Sequence, residues 1–465
     1  MLLSALMYAS DTIVASATPT GRGAVAIIRL SGPAAIAIAH TLWHPLSATV
    51  APSRALRLGE IRDPLTGATL DRALCVVFPG PRSLTGEDVA ELQCHGGAYL
   101  VRRLVGLAAA AGARIAEPGE FSRRAYLNGR IDLTAAEAIA DLIDARGEQA
   151  LAQAIAQLGG ALAGRVDGLR RKLIAIRAHL EAEIDFADED LSLPSRAAIA
   201  NAVADLAADL RLLHDSFARG RLTREGAHAT IIGKPNAGKS SILNLLLGAD
   251  RVIVTPVPGT TRDVIEETIS LNGSALVIAD TAGLRDSDDA VERLGIERTR
   301  RSAAQADLLI AVFDSARPFD PDDARVIAAA DSRAGVAILN KRDLAQHLYS
   351  DALRRRGLTL PIVELSTVTT AGIGQLRDQL ATVVEQLAGG YASGEITISR
   401  ERHRVALASA LEATIAAGAA LGAAMPPEII AVDIELATEA LGAITGAISS
   451  EEILDAIFRE FCIGK

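Results

Sequence analysis

The run Gly233-Lys-Pro-Asn-Ala-Gly-Lys-Ser-Ser241 has the residue types and spacing to cradle phosphates. It follows a strand-like stretch, "AHATII", and precedes a helix-like one, "SILNLLLG", the context that G-x-x-x-x-G-K-[ST] requires. Its glycines allow backbone N–H groups to face phosphate oxygens. Lys239 can reach β- and γ-phosphates, and the Ser240 hydroxyl can ligate Mg²⁺. Ala237, Gly238 and Ser241 complete the loop and open the helix. Three further stretches extend the site. In "DTAG", Asp280, Thr281, Ala282 and Gly283 end a strand, where the Asp can hold the Mg²⁺ shell and Gly283 can face the γ-phosphate. In "GTTRD", Gly259, Thr260 and Thr261 precede Arg262 and Asp263, with Thr261 as a second Mg²⁺ hydroxyl. In "NKRD", Asn340 and Lys341 lead to Asp343, whose carboxylate can accept from N1–H and the exocyclic amine of guanine. Adenine has neither donor on that edge, and an unpaired buried carboxylate would reject it. The expected chemistry is GTP hydrolysis. The glutamine that orients water in many GTPases is missing, since Leu284 follows Gly283. Asn236 offers a side-chain carbonyl inside the phosphate loop, where a monovalent cation could stand in for an arginine finger.

Composition limits the alternatives. The chain has 465 residues, enough for two to four domains. It is 49% apolar but only 3% aromatic, which favours Ala-rich helix over an aromatic base-stacking platform. A net charge of −10 argues against general nucleic-acid affinity, so any RNA contact must be local. Basic clusters at Arg123, Arg124 and "RERHR" from Arg400 are modest. Three widely spaced cysteines imply no disulfide framework and suit a reducing, cytoplasmic setting. The opening "MLLSALMYAS" lacks the preceding charge of an export signal, and Met7 is an alternative start. With no run of about 20 apolar residues, no membrane partner is expected. "GAALG" at Gly418 to Gly422 reads as a close helix-packing step.

These groups need elements to position them. Up to about residue 128, "DTIVAS", "GAVAIIRLSG", a hairpin around "PLTG" and "VAELQCHGG" read as strands, joined by the helix "AYLVRRLVGLAAAAG" in an α+β pattern. From 129 to 222 the texture is helical, with Leu169, Leu173, Ile176, Leu180 and Ile184 forming one apolar stripe that ends in the acidic "DFADED". Residues 223–385 hold six strand candidates, mostly followed by helices, with one hairpin around "LNGS". This predicts a doubly wound, mostly parallel sheet, a Ras-like P-loop domain. Residues 386–465 return to helix, where Ser449 or Ser450 can cap the last one. The fold expected is multidomain, with an α/β GTPase domain inserted into an all-α domain.

The set "TPTGRGAVAIIRLSG", "GEDVAELQCHGG", "PGEFSRRAYLNGRIDLTAAEAIADLIDA", "GKPNAGKSS", "PGTTRDV", "DTAGLR" and "FCIGK", in this order, resembles the MnmE (TrmE) family of tRNA uridine 5-carboxymethylaminomethyl modification GTPases. The likeness runs from about Asp11 to Lys465. It implies that 1–128 is a tetrahydrofolate-binding-like domain that mediates homodimerisation. It implies 5-formyltetrahydrofolate or a related folate as one-carbon source, and K⁺-promoted GTP hydrolysis with Mg²⁺. It also implies an MnmG-type, FAD-dependent partner in a heterotetramer or larger assembly, acting on the wobble uridine of certain tRNAs. Residues carried over by motif are Asn236, Thr255, Val257 and Thr260 for K⁺, with Pro256 and Pro258 on the same loop. Glu292 would orient water in place of the missing glutamine. Arg29, Glu91, Arg130 and Lys465 would contact folate. The chain departs from the family in having Arg130 where Lys is common, "LST" with Ser366 on the base side, and two prolines in the potassium loop.

Cys462 is the fourth residue from the end. "CIGK" lacks the two aliphatic residues of a prenylation site, and Cys94 with His95 has no paired metal-ligand spacing. Cys75 alternates into a strand core. For Cys462 there remain a buried helix-end residue or a thiolate able to add to C6 of uridine and activate C5. Three functions compete: a GTP-gated tRNA-modifying enzyme, a non-chemical GTPase switch as in ribosome assembly, and a folate enzyme carrying a G domain.

Overall fold

The computed structural model describes residues 11–47, 54–186, 194–250, 266–278, 306–389 and 395–464. The chain divides into two units, one of 1–140 with 442–465 and one of 141–441.

In the first unit, seven strands form a sheet: β1 (Ile13–Ser16), β2 (Val25–Ser31), β3 (Trp43–Pro45), β4 (Arg57–Arg62), β5 (Thr69–Phe78), β6 (Val89–His95) and β7 (Arg114–Ile115). Their order is β3-β4-β5-β6-β2-β1-β7, antiparallel except for the β1–β7 pair. Alternation sets which residues go inside: Ala26, Ile28 and Leu30 of β2 are buried, while Ile27 and Arg29 point to the other face. Helices Ala35–Leu42 and Ala98–Ala110 cover the apolar face, adding Ile38, Leu42, Leu104 and Leu107 to the core. Cys75 and Cys94 lie in this core.

The sequence reading ends this region at 128 and assigns all of 386–465 to the helical domain. Packing groups the residues differently without bearing on those boundaries: the compact unit extends to Ala140 and takes in 442–465. The reason is apolar: Leu454, Ile457, Phe458 and Phe461 of the terminal helix Glu451–Arg459 and its exit pack on Leu133, Ala136 and Ala140. Arg123 adds a hydrogen bond to Asp455 at 2.7 Å. Of the two serines able to cap this helix, Ser450 accepts from the Ile453 N–H, while the Ser449 hydroxyl lies 3.0 Å from that of Tyr126.

The second unit combines helices with a six-stranded sheet. Strands β8 (Ala227–Gly233), β9 (Glu267–Leu271), β10 (Ser274–Ile278), β11 (Leu308–Asp314), β12 (Gly335–Asn340) and β13 (Ile362–Glu364) lie in the order β13-β12-β11-β8-β10-β9. All pairs are parallel except β9–β10, a hairpin turning at Asn272–Gly273. Every residue of β11 is buried, as expected of a central strand covered on both faces. The helical part includes Ala161–Asp185, whose stripe Leu169, Leu173, Ile176 and Leu180 is buried, with Ile184 half-buried near the helix end. "DFADED" lies outside the described residues beyond Phe186.

The stretches flanking the sheet domain in sequence meet in space. The Ser216 hydroxyl accepts from the Ile398 N–H, and Gln153 donates to Thr397. Helix Glu401–Gly422 packs on helix Arg196–Asp215, with an added Cβ at Gly418 falling 3.5 Å from Val203. Gly422 faces open space, so only one glycine of "GAALG" makes a close approach. By length and composition alone this helix is apolar enough to cross a membrane, although Glu401, Arg402, Arg404 and Glu412 leave it without an apolar run of about 20 residues. Alanine accounts for this, because it raises hydropathy without forming an uninterrupted apolar run. His403, Leu407, Ala410, Thr414, Ala417 and Leu421 form its buried side.

Candidate functional site: a phosphate loop with its base loop, and a clamped tail

The phosphate loop leaves β8 at Gly233 and enters helix Lys239–Asp250, at the carboxyl ends of parallel strands. Asn236 is exposed and adopts φ 62°, and Gly238 adopts φ 98°. A Cβ on Gly238 would overlap Asn340 Nδ2. That close approach allows Asn340 Nδ2 to donate to the Ala237 carbonyl at 2.9 Å, which ties the base loop to the phosphate loop. Asn340 Oδ1 is buried and has no hydrogen-bond partner among the described residues. Lys239 donates to the carbonyls of Gly233 (3.0 Å) and Lys234 (2.8 Å), and burial lowers its pKa. Neutral carbonyls are weak partners for a buried ammonium, so the group is suited to donate to anionic oxygens. Ser240 is half-buried on the first turn, and Ser241 is exposed.

On the base side, Ser366 is 2% exposed and donates to Asp343 Oδ1 at 2.6 Å. Asp343 itself is exposed, with its orientation set by that bond. Ser366 thus sits beside the carboxylate despite the changed "LST" motif. Lys341, at φ 66°, donates to Asp314 Oδ2 at 2.7 Å. Sequence reasoning passed over Asp314 and Ser315. A signal was present in "FDS" at the end of a wholly apolar strand.

Thr255, Pro256, Val257, Pro258, Gly259, Thr260, Thr261, Asp280, Thr281, Ala282, Gly283, Glu292 and Lys465 lie outside the described residues.

In the first unit, Arg29 and Glu91 are cross-strand partners on β2 and β6, bonded at 2.8 Å and largely shielded. The Arg29 guanidinium lies 5.7 Å from the Phe121 ring centre and donates to the Gly464 carbonyl at 3.4 Å. The tail is held along its main chain: Ile463 bridges Pro118, and the Gly119 N–H donates to the Cys462 carbonyl. Gly464, at φ 99°, has no room for a side chain, because a Cβ would overlap the Ser16 carbonyl. Arg130 is exposed beside Gly86. The Cys462 thiol is exposed, so of the two readings left open the buried one is set aside. Burial pushes Cys75 up to about 12 and Cys94 to about 11. A thiol-disulfide reagent at pH 8 is therefore expected to titrate Cys462 rapidly and the other two only on unfolding. Fast reaction of all three thiols would contradict this packing.

The basic clusters are consumed internally. Arg124 pairs with Asp11, Glu87 and Glu120, Arg123 with Asp455, Arg400 with Asp141, and Arg404 with Glu401. Among the described residues no group of three or more His, Cys, Asp or Glu is arranged to hold a metal ion.

A doubly wound sheet with a phosphate loop, and an Asn-Lys-x-Asp loop bonded to it, defines a P-loop GTPase. Residues 133–462 match the model of the MnmE helical domain, and 12–130 that of the GTP-binding protein TrmE N-terminus. The tRNA modification GTPase MnmE of Alkaliphilus oremlandii is 39% identical over 99% of this chain and 100% of its own length. Those of Symbiobacterium thermophilum and Koribacter versatilis are each 42% identical, over 98% and 99% of this chain and 99% and 100% of their own. The chain belongs to the MnmE family of tRNA modification GTPases. Partial likenesses to the G domain of the T. maritima FeoB iron transporter (22% identity, 34% of this chain, 98% of that chain, TM-score 0.26) and to Aquifex aeolicus Era bound to GDP·AlF4⁻ (25%, 40%, 66%, 0.28) are too slight to add to this.

Proposed function

We propose that this chain hydrolyses GTP with Mg²⁺ and couples that hydrolysis to modification at C5 of the wobble uridine of certain tRNAs. The observation that carries the reading beyond nucleotide hydrolysis is the clamped tail. A GTPase switch alone gives no reason to lock the last described residues against Arg29, Pro118 and Ser16. Family membership over nearly the whole chain supports the same reading.

In the G domain, Lys239 would bind the β- and γ-phosphates, with Ser240 and Thr261 on Mg²⁺. Asp343, oriented by Ser366, would take the guanine edge, beside Asn340 and Lys341. Asn236, Thr255, Val257 and Thr260 would hold K⁺, which supplies positive charge near the phosphates. Glu292 would orient the attacking water. In the first unit, Arg29 and Glu91 offer a cation and a carboxylate side by side, with the Phe121 ring near. That donor–acceptor pair suits the amide edge of a folate ring, with Arg130 and Lys465 as further contacts. Residues 1–128 would mediate homodimerisation, and an FAD-dependent MnmG-type partner would complete a cytoplasmic assembly. Cys462, exposed on a fixed main chain, would position the uridine or attack its C6.

The test is to delete the gene and complement it with the wild type or Cys462→Ser, reading wobble-uridine nucleosides by mass spectrometry. GTP turnover of the purified proteins in KCl and in NaCl runs beside it. The expected result is restoration by the wild type only, with K⁺-stimulated turnover intact in both. Unchanged nucleosides after deletion would remove the tRNA reading and favour a ribosomal switch.

A further inference from the structure

We propose that the segment 314–323, which begins at the last residue of β11, is the positioning element of the nucleotide site and braces its base loop and its phosphate loop together. This rests on the reading of that site as a guanine-nucleotide site. On the base side, Asp314 is 3% exposed and accepts from Lys341 at 2.7 Å, and the Ser315 hydroxyl and N–H both donate to the Asn340 carbonyl at 2.6 and 3.0 Å. On the phosphate side, the brace acts through Lys234. This residue is 9% exposed and turns its ammonium away from the loop onto Asp320 and Asp323, each at 2.8 Å.

Those two carboxylates are fixed in turn. They form the reciprocal cap of helix Pro321–Ala330, Asp320 accepting from the N–H of Asp322 and Asp323, and Asp323 accepting from the N–H of Asp320. Lys234 is therefore held by a rigid helix end. Its carbonyl is also one of the two on which Lys239 rests. On the other side, Gly233 lies so close to the Val312 carbonyl that a Cβ there would fall 2.6 Å from it. The backbone that presents the phosphate-binding lysine is thus pinned from both sides. A loop held in its binding geometry before the ligand arrives loses less ordering entropy on binding.

The buried Lys234–Asp323 pair needs this explanation because stability does not supply one. Buried ion pairs seldom outperform apolar residues of equal volume. A lysine there keeps a register between loop and helix end that an apolar side chain would leave loose.

The experiment measures release of a fluorescent GDP analogue by stopped flow, and KM and kcat for GTP, in the full chain. Lys234→Met and Asp314→Asn are each expected to speed release about tenfold and raise KM similarly, with kcat within about threefold, the signature of lost binding rather than lost chemistry. Lys234→Arg should restore wild-type release. Arg325→Ala, an exposed change on the same helix, serves as control. Should Lys234→Met fail to fold, the double variant K234M/D323N, which removes the buried charge imbalance, carries the decision. A folded double variant or Asp314→Asn protein with wild-type release would overturn the proposal. Failure of the wild type to bind the analogue would instead sink the guanine-site reading itself.

Discussion

Asp343→Asn is expected to lower affinity for GTP by about 10²–10⁴-fold and to raise that for xanthosine triphosphate. Two hydrogen bonds from guanine to a carboxylate are at stake, each contributing roughly 1.5–3 kcal/mol, and every 1.4 kcal/mol is about tenfold. Asparagine keeps one acceptor but replaces the other with an N–H donor. That donor faces the guanine amine unfavourably and matches the carbonyl that xanthine carries in its place. Ser366 donates to Oδ1 in the wild type, so the amide oxygen is expected to take that place and the NH₂ to face the base. Fluorescence competition with GTP, XTP and ATP reads the effect. Equal losses for GTP and XTP would mean that the variant has disordered the loop rather than changed its specificity.

The second large effect concerns stability. Arg124 is 1% exposed and holds three carboxylates, with Asp11 at 2.6 Å, Glu120 at 3.0 Å and Glu87 at 3.2 Å. Arg114 shares Asp11 and Glu120. Removing one partner of a buried ion pair costs about 3–5 kcal/mol, because the remaining charges are desolvated without compensation. Arg124→Ala and Arg124→Met should both show that loss, since neither changes the carboxylates. The chain has one tryptophan, Trp43, buried in the first unit, so its fluorescence during urea unfolding reports on that unit. A midpoint within error of the wild type for both variants would contradict the account.

The same cluster sets an acid limit. Burial pushes the Glu120 and Asp11 carboxyls up, but hydrogen bonds from Arg114 and Arg124, with the Glu117 N–H on Glu120, outweigh it and hold both below the ordinary range. A carboxyl depressed on folding contributes stability above its unfolded pKa, about 4 for these types, and loses it as pH falls through the folded value. The tryptophan signal should therefore weaken below about pH 4 in the wild type. Arg124→Met, which lacks the cation, should depend less on pH in that window.

Much of the architecture was legible because periodicity reports it directly. The six strands of the sheet domain, the "PLTG" hairpin and the buried stripe from Leu169 to Leu180 each follow from alternation or three-four spacing. The phosphate and base loops were legible because their chemistry needs particular residue types at short, fixed spacing. The packing partner of the C-terminal helix was not. Leu454, Ile457 and Phe458 announce an apolar face, but that face says nothing about which of two helical neighbours it will cover.

By itself the sequence determined the order of elements, the P-loop GTPase chemistry and the residues that could carry it, since these depend on contacts close along the chain. Only the tertiary structure decided the rest. It placed Gly464 against Ser16 and Arg29, linked Asn340 to Ala237 and Ser366 to Asp343, spent Arg124 on an internal ion cluster and used Lys234 as a brace. Most of these pairings join residues tens to hundreds of positions apart. Such partners are chosen by packing of whole elements, and a side chain's own type fixes only what it can bond, not what it will meet.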